Sequence, residues 1–154
     1  MSDTHRPAYR FDDRDIDWKP FRGFEGLDYR VMQVDHARGQ VDMLMRFAPN
    51  QECVPHRHAG PTKTLVLEGE HRIYQPGPDG ARTCSVRKAG TFSANDGDET
   101  HTEGGGPEGA IILLMMTAAA GTIYDILDTF DGPVNRKITV EDFERGYQRQ
   151  QQSA

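Results

Sequence analysis

Hydrophobic and polar residues alternate in short runs through the central part of the chain, from Tyr29 onward. Turn-forming pairs such as Arg38-Gly39, Glu68-Gly69 and Ala89-Gly90 separate these runs. Short strands at close and regular spacing are typical of a β-sandwich or a β-barrel. The pattern predicts strands over residues 29–34, 41–47, 64–67, 71–75, 83–86, 91–94 and 110–117.

The apolar block 111–116 differs from the other runs because it contains no polar residue. Its isoleucines and the nearby Gly106-Pro107 favour a strand over a buried helix, and the lack of alternation predicts burial on both faces. We expect this strand to lie at a subunit interface, because an apolar edge strand needs cover. The block therefore predicts a homodimer.

Both ends of the chain depart from the strand pattern. The first residues mix charges, prolines and aromatic residues without a period, which predicts an irregular arm anchored by Trp18 and Phe21. Near the other end, Thr139 and Asp142 form a capping-box pattern that predicts a helix up to Gln150, followed by a frayed tail. The predicted units are an N-terminal arm at 1–28, a barrel at 29–138 and a C-terminal helix at 139–150.

Length and charge limit the classes of function. A chain of 154 residues is sufficient for one domain with its own core. The net charge of -6 disfavours binding to nucleic acid and to anionic membranes. Because no segment is as long and apolar as a membrane helix and no secretory signal is evident, we expect a cytoplasmic protein. In that compartment, Cys53 and Cys84 are expected to be free thiols.

Three histidines form the pattern with the clearest chemistry. On a strand, His56 and His58 point to the same face, whereas Arg57 points to the other. A barrel brings distant segments together, so His101 can join them as a third imidazole. Neutral imidazoles bind zinc, iron, copper or nickel, and three ligands leave positions open for substrate or dioxygen. The sequence thus predicts a reactive metal site rather than a closed structural one.

Several polar residues near this pattern are candidates for supporting roles. Glu103 lies two residues after the third histidine and shares its face on a continuing strand, which favours an acid/base role or a hydrogen bond to a ligand. The glycine run 104–106 could instead release it to solvent. Asn95 and Thr62 could supply neutral hydrogen bonds. For His71 we favour a structural or surface role over metal binding.

The spacing of these residues resembles the two sequence motifs of the cupin superfamily. In the first motif the residues 56–58 are followed by Gly69 at the family distance, but Thr62 occupies the position of the family's glutamate ligand. In the second motif Gly90 and His101 have the family separation, whereas its proline, glycine and asparagine positions hold other residues. The resemblance implies an all-β, double-stranded β-helix (jelly-roll) barrel with three histidine ligands and no family glutamate.

A closer resemblance is to small bacterial cupins grouped with 2,4'-dihydroxyacetophenone dioxygenase and acetylacetone (β-diketone) dioxygenase. It runs through residues 55–58, 65–70, 90–92, 101–102 and 121–125. The resemblance implies a divalent metal ion, Fe(II) first, with zinc, nickel or manganese as alternatives. It further implies cleavage of a carbon–carbon bond by dioxygen in a small dicarbonyl or hydroxy-aryl ketone. Glu103 and Asn95 are the candidate catalytic residues.

Two other functions are compatible with the same residues. One is a non-enzymatic module that senses a metal or an oxidant, similar to the cupin domains of zinc-binding anti-sigma factors. The other is a metal-assisted isomerase or lyase. All three interpretations place the same divalent ion on His56, His58 and His101.

Overall fold

The computed structural model describes residues 8–152, in which ten strands precede one helix. No helix in this part of the chain has the length and apolar character needed to cross a membrane. The elements are β1 (Lys19–Pro20), β2 (Leu27–Asp35), β3 (Gln40–Phe47), β4 (His56–His58), β5 (Thr62–Pro76), β6 (Arg82–Lys88), β7 (Phe92–Asn95), β8 (Glu99–Thr117), β9 (Thr122–Leu127), β10 (Val134–Thr139) and α1 (Val140–Gln152).

The strands form one curled antiparallel sheet around an apolar core. Its order is β1-β2-β3-β8-β4-β9-β10, and β5 pairs with β6, β7 and β8. The core is built by side chains from β2, β3, β8, β9 and the helix, which alternate with outward residues along each strand. This all-β barrel with a C-terminal helix confirms the predicted fold class.

Two long strands, β5 and β8, replace several of the shorter predicted strands. The predicted turn at Glu68-Gly69 lies inside β5, where the pairing with β8 shifts register on both sides of it. Gly69 has a φ of 75°, and a Cβ there would lie 2.2 Å from the carbonyl oxygen of Gly109. Glycine is therefore required at this bulge, and the strand continues through it.

The apolar block lies within β8, between β3 on one side and β5 on the other. Ile112, Leu114 and Met116 are buried in the core, whereas Leu113 and Met115 are only half-buried. The expectation of an edge strand buried on both faces is therefore wrong, because both edges are paired within the same chain. The edge-strand argument therefore no longer supports a homodimer. The homodimer stays a prediction, and light scattering at micromolar concentration measures the oligomeric state.

The glycine run 104–106 belongs to β8 and does not form a loop. A Cβ on Gly104 would lie 2.1 Å from the carbonyl oxygen of Gln51, so the glycine lets the neighbouring segment approach the strand. The possibility that this run releases Glu103 to solvent is therefore wrong. The strand continues past Glu103 and keeps its side chain buried.

The helix begins with the predicted capping box. Thr139 Oγ1 accepts a hydrogen bond from the Asp142 amide at 3.3 Å, and the Asp142 carboxylate accepts one from the Thr139 amide at 2.9 Å. At the other end, the buried Gln150 side chain makes two 2.9 Å hydrogen bonds to the backbone of Val31. The expected fraying at Gln150 is therefore wrong, while residues 153–154 lie outside the described chain.

The arm crosses the outside of the barrel and is held by aromatic residues. Phe21 packs edge-on against Phe24 and Tyr29, with ring centroids 5.0 and 5.1 Å away. The Arg46 guanidinium lies 4.7 Å from the centre of the Trp18 ring, a cation–π contact. Phe21 and Phe24 also pack against the apolar core of the barrel.

Candidate metal centre

The three histidines come together because β4 lies between β8 and β9. His56 is paired with His101, and His58 is paired with Glu99 across the antiparallel ladder. Alternation then turns His56 and His58 to the inner face and Arg57 to the outer face, where its guanidinium bonds the Asp125 carboxylate at 2.7 Å. All three imidazoles are buried.

The inward nitrogen atoms meet at one point. His58 Nε2 and His101 Nε2 are 3.2 Å apart. Glu103 places Oε1 3.7 Å from His56 Nε2 and Oε2 3.5 Å from His101 Nε2. One ligand atom from each of the four residues lies within 4.8 Å of every other. This spacing is compatible with one shared ion at the centre.

Hydrogen bonds on the outer ring nitrogens orient two of the histidines. His56 Nδ1 lies 3.0 Å from the carbonyl oxygen of Val54 and must donate to it. His101 Nδ1 lies 3.2 Å from Glu99 Oε1, which also fixes a proton on Nδ1. In both rings the lone pair of Nε2 is then directed inward, as in metal-binding histidines generally. Glu99 was missed by sequence reasoning, although it shares the face of His101 by simple alternation.

The third histidine is supported by Thr62, the residue at the position of the family glutamate. Thr62 Oγ1 lies 3.2 Å from His58 Nδ1 and donates its own proton to the Gly60 carbonyl at 3.3 Å. The hydroxyl oxygen therefore accepts from His58 Nδ1. Thr62 thus orients a histidine and leaves the carboxylate position to another residue.

Glu103 supplies that carboxylate from the strand of the second motif. Continuous pairing of β8 carries Glu103 to the same buried face as His101, so the cluster contains a carboxylate beside the three histidines. An ion held by the three histidines alone stays a prediction. Burial raises the pKa of Glu103, but the His71 hydrogen bond and the adjacent imidazoles lower it more, to well below its ordinary value. Glu103 is thus held as a carboxylate.

One buried atom shows that these residues fit a cation. His56 Nε2 is buried and has no hydrogen-bond partner among the described residues. An unpartnered buried nitrogen is unfavourable, and a metal ion at the meeting point would accept its lone pair. Three imidazole nitrogens and one carboxylate oxygen are a suitable donor set for a first-row divalent ion.

His71 lies behind the cluster and not on the surface. Its side chain is buried, its Nε2 is 3.0 Å from Glu103 Oε2, and its ring stacks on Phe47 with centroids 5.6 Å apart. It therefore holds the carboxylate in place. Its orientation depends on the register shift near Gly69, which alternation in the sequence does not reveal.

Tyr124 forms the other wall of the centre. Its ring lies 5.5 Å from the His56 ring and 5.0 Å from the His58 ring. Its hydroxyl is buried without a hydrogen-bond partner in the described chain, and burial followed by the Glu103 charge raises the pKa well above its ordinary value. The sequence analysis did not identify Tyr124 as a site residue, although it lies in residues 121–125, one of the segments that carry the family resemblance.

A small cavity of about 20 Å³ adjoins the cluster, enough for about one water molecule. Tyr124, His56 and Glu103 reach it from the barrel, and the arm covers it with Phe21 and Phe24. Most of the remaining lining is apolar. The cluster is therefore shielded from bulk water by the arm.

The remaining candidates lie at the margin of this centre. Asn95 pairs with Thr62 through the backbone, and its Oδ1 accepts a 3.0 Å hydrogen bond from the Gly97 amide. That bond closes a turn, and a catalytic role for Asn95 stays a prediction. Cys53 and Cys84 are free thiols. Cys53 Sγ lies 3.6 Å from His56 Nδ1, and burial raises the pKa of this thiol.

The metal-free protein is expected to lose stability in mild acid. Burial, and then repulsion from His101, lowers the pKa of His56 from 6.5 to about 4, and the pKa of His58 is also well below 6.5. The unfolded chain therefore takes up protons first as the pH falls below 6.5. The contribution of the neutral, buried histidines to the free energy of unfolding is therefore complete above pH 6.5 and declines between pH 6.5 and 4.

His56 alone accounts for a loss on the order of 3 kcal/mol, whereas Glu103, whose pKa is lowered, adds a loss only below its ordinary pKa of 4.5. Urea unfolding of metal-free protein at pH 7.5, 6 and 5 measures it. A His56→Gln variant should show a smaller decline over the same interval. A free energy of unfolding that is flat from pH 7.5 to 5 would contradict a neutral, buried His56.

The barrel and the buried histidine cluster on β4 and β8 define a cupin with a candidate metal site. A family model described as the ChrR cupin-like domain matches residues 8–120, and the chain belongs to this family. No protein of curated function matches the sequence.

Solved structures with the same fold have low sequence identity to the chain. An RmlC-like cupin protein from Ralstonia eutropha JMP134 is 16% identical with a TM-score of 0.73, covering 100% of this chain and 93% of that one. An acetylacetone dioxygenase from Acinetobacter johnsonii is 15% identical with a TM-score of 0.72, covering 94% of both chains.

A third structure comes from a regulatory complex. One chain in the structure of Rhodobacter sphaeroides SigE in complex with the anti-sigma ChrR is 21% identical to this chain, with a TM-score of 0.52. The match covers 66% of this chain and 49% of that one. At these identities, the likeness to the solved structures establishes the fold alone.

Proposed function

We propose that this cupin is a non-haem Fe(II) dioxygenase that cleaves a carbon–carbon bond in a small dicarbonyl or hydroxy-aryl ketone. The observation that carries the proposal is the convergence of His56, His58 and His101 with Glu103 in the barrel interior. The adjoining cavity of about 20 Å³ holds only about one water molecule, so binding of a dicarbonyl would require Phe21 and Phe24 of the arm to move away from the cluster.

The chain's own residues would fix the ion and exclude water. His56, His58 and His101 would each present Nε2, since their Nδ1 atoms are already bonded to protein oxygens. A bound Fe(II) ion would supply Lewis acidity for a chelating dicarbonyl and redox chemistry for dioxygen. The arm and the apolar side chains around the cavity would keep bulk water from the reacting pair.

Glu103 and Tyr124 would act on charge and orientation. The Glu103 carboxylate, held by His71, would offset part of the charge of the ion. The Tyr124 hydroxyl, buried without a hydrogen-bond partner in the described chain, lines the cavity and would donate a hydrogen bond to a substrate oxygen. The overall reaction would break one carbon–carbon bond and the oxygen–oxygen bond and place both oxygen atoms in the products, so it needs no external reductant.

A second candidate is a metal- or oxidant-sensing module. The family match and the likeness to the SigE–ChrR complex favour it. Such a module would hold zinc through the same four residues and would not turn over a substrate. The two candidates therefore differ in metal and in oxygen consumption, but not in ligand set.

Metal content and oxygen uptake, measured together, test the proposal. Protein purified anaerobically is expected to contain one iron per chain and to consume one dioxygen per molecule of acetylacetone or 2,4'-dihydroxyacetophenone. Protein stripped with a chelator and reloaded with zinc is the matched control and should consume none. Stoichiometric zinc as purified, with no oxygen uptake by the iron-loaded protein on either substrate, would contradict the dioxygenase and favour the sensing module.

A further inference from the structure

A second and larger space lies outside the barrel, separate from the cluster of histidines. It is a cleft of about 740 Å³ between the arm, β10 and α1. This volume is in the range of small-molecule binding sites, about 300 to 1,000 Å³. The cleft contains none of the four candidate metal ligands.

The charge of the cleft is opposite to that of the chain. The chain has a net charge of -6, yet six cationic side chains line the cleft together with one carboxylate, Asp142. A concave space lined by cationic side chains raises the local concentration of anions. The cationic residues are Lys19, Arg22, Arg136, Lys137, Arg145 and Arg149.

Internal ion pairs engage some of these cations and leave others available. Lys19 is paired with Asp17 at 3.1 Å, Lys137 with Asp125 at 3.0 Å, and Arg145 with Asp142. In contrast, Arg22 and Arg136 are exposed and form no ion pair within residues 8–152.

The floor of the cleft is apolar and aromatic. Phe21, Tyr29, Ile138 and Phe143 line it between the cationic side chains. Phe21 and Tyr29 pack edge-on at 5.1 Å, which gives the floor a fixed shape. Gly146 on the helix lies in the same lining, so no side chain of its own fills the space there.

We propose that the cleft binds a small organic anion, a carboxylate or phosphate attached to an apolar, aromatic-sized group. The anionic group would be bound by Arg22 and Arg136, since guanidinium groups bind carboxylate and phosphate oxygens with paired hydrogen bonds. The apolar group would lie on Phe21 and Phe143. Binding requires no metal and is independent of the proposed dioxygenase activity.

Titration calorimetry of metal-free protein with three probes tests this site. Phenyl phosphate is expected to bind with one site per chain, and inorganic phosphate at least about ten-fold more weakly because it leaves the aromatic floor exposed. Benzyl alcohol, which keeps the ring and lacks the charge, should show no binding. Raising the salt concentration should weaken the phenyl phosphate affinity.

The arginine pair is tested by substitution. Arg22→Glu combined with Arg136→Glu should lower the phenyl phosphate affinity by more than about 100-fold, and Arg136→Gln alone by about 10-fold. Arg38→Glu, an exposed arginine on the far β2–β3 turn, is the matched control and should bind as the wild type does. Because Arg136→Gln leaves an exposed position polar, it keeps the test valid if the double variant does not fold.

Three outcomes would overturn the proposal. The first is the absence of phenyl phosphate binding at 10 mM, a concentration roughly matching a free energy of binding of 3 kcal/mol. The second is unchanged affinity in the Arg136→Gln protein. The third is binding that appears only after metal loading and disappears in a His101→Ala protein, which would assign the anion to the metal centre and leave the dioxygenase proposal intact.

Discussion

A His101→Ala protein is expected to fold and to lose its metal. The substitution removes one of three imidazole ligands and leaves His56, His58 and Glu103, so the ion loses one of its four protein donors. Loss of a partner outside the coordination sphere already lowers metal affinity about 10- to 100-fold, so loss of an inner ligand should exceed about 100-fold. Metal content after gel filtration and competition with a chromophoric chelator measure the effect.

The control for His101→Ala is another histidine with the same change. His36 is half exposed and pairs with Glu141 and Glu144 at the helix, far from the cluster in the fold. His36→Ala should keep a full equivalent of metal. A His101→Ala protein that also keeps a full equivalent would show that the ligand set is wrong, and His71 would then have to be tested as a ligand.

Strand alternation is sufficient to predict most of the candidate centre. His56 and His58 differ by two residues, as do Glu99, His101 and Glu103, so each set shares one face of an extended strand. Only the pairing of β4 with β8 was needed to bring the two sets together. This is why strand alternation, together with the resemblance to the cupin motifs, was sufficient to expect the three histidines inside a barrel.

Features that depend on register could not be predicted in this way. His71 follows the bulge at Gly69, which changes the face that later residues occupy. The composition of the glycines at 104–106 leaves open whether Glu103 faces the cluster or solvent, whereas close backbone packing against Gln51 explains why they stay within the strand. In both cases a long-range contact determines the local structure, and a sequence window contains no record of that contact.

The cationic lining of the cleft also could not be predicted from the sequence. Its cations come from the arm, β10 and the helix, which are separated by more than a hundred residues of sequence at the extremes, Lys19 and Arg149. The net charge of the chain disfavours binding to large polyanions but carries no information about a local reversal of sign. Only the packing of the helix against the arm and β10 assembles the patch.

Glu103→Gln is expected to separate the metal-binding role of this residue from its structural role. The amide keeps the size of the side chain and an oxygen that accepts the His71 hydrogen bond, but it removes the negative charge from the centre of the cluster. Metal affinity should fall by about 100-fold, which corresponds to a loss of about 2.7 kcal/mol of metal-induced stabilisation at a fixed metal concentration.

The metal-free Glu103→Gln protein should also lose stability. The lowered pKa of Glu103 means that the folded protein favours its carboxylate over the neutral acid, and a neutral amide loses this contribution at pH 7. Urea unfolding with and without added metal measures both effects on one protein. If the variant lost stability without metal but kept its metal affinity, Glu103 would be only the partner of His71, and the cluster would bind its ion through three histidines alone.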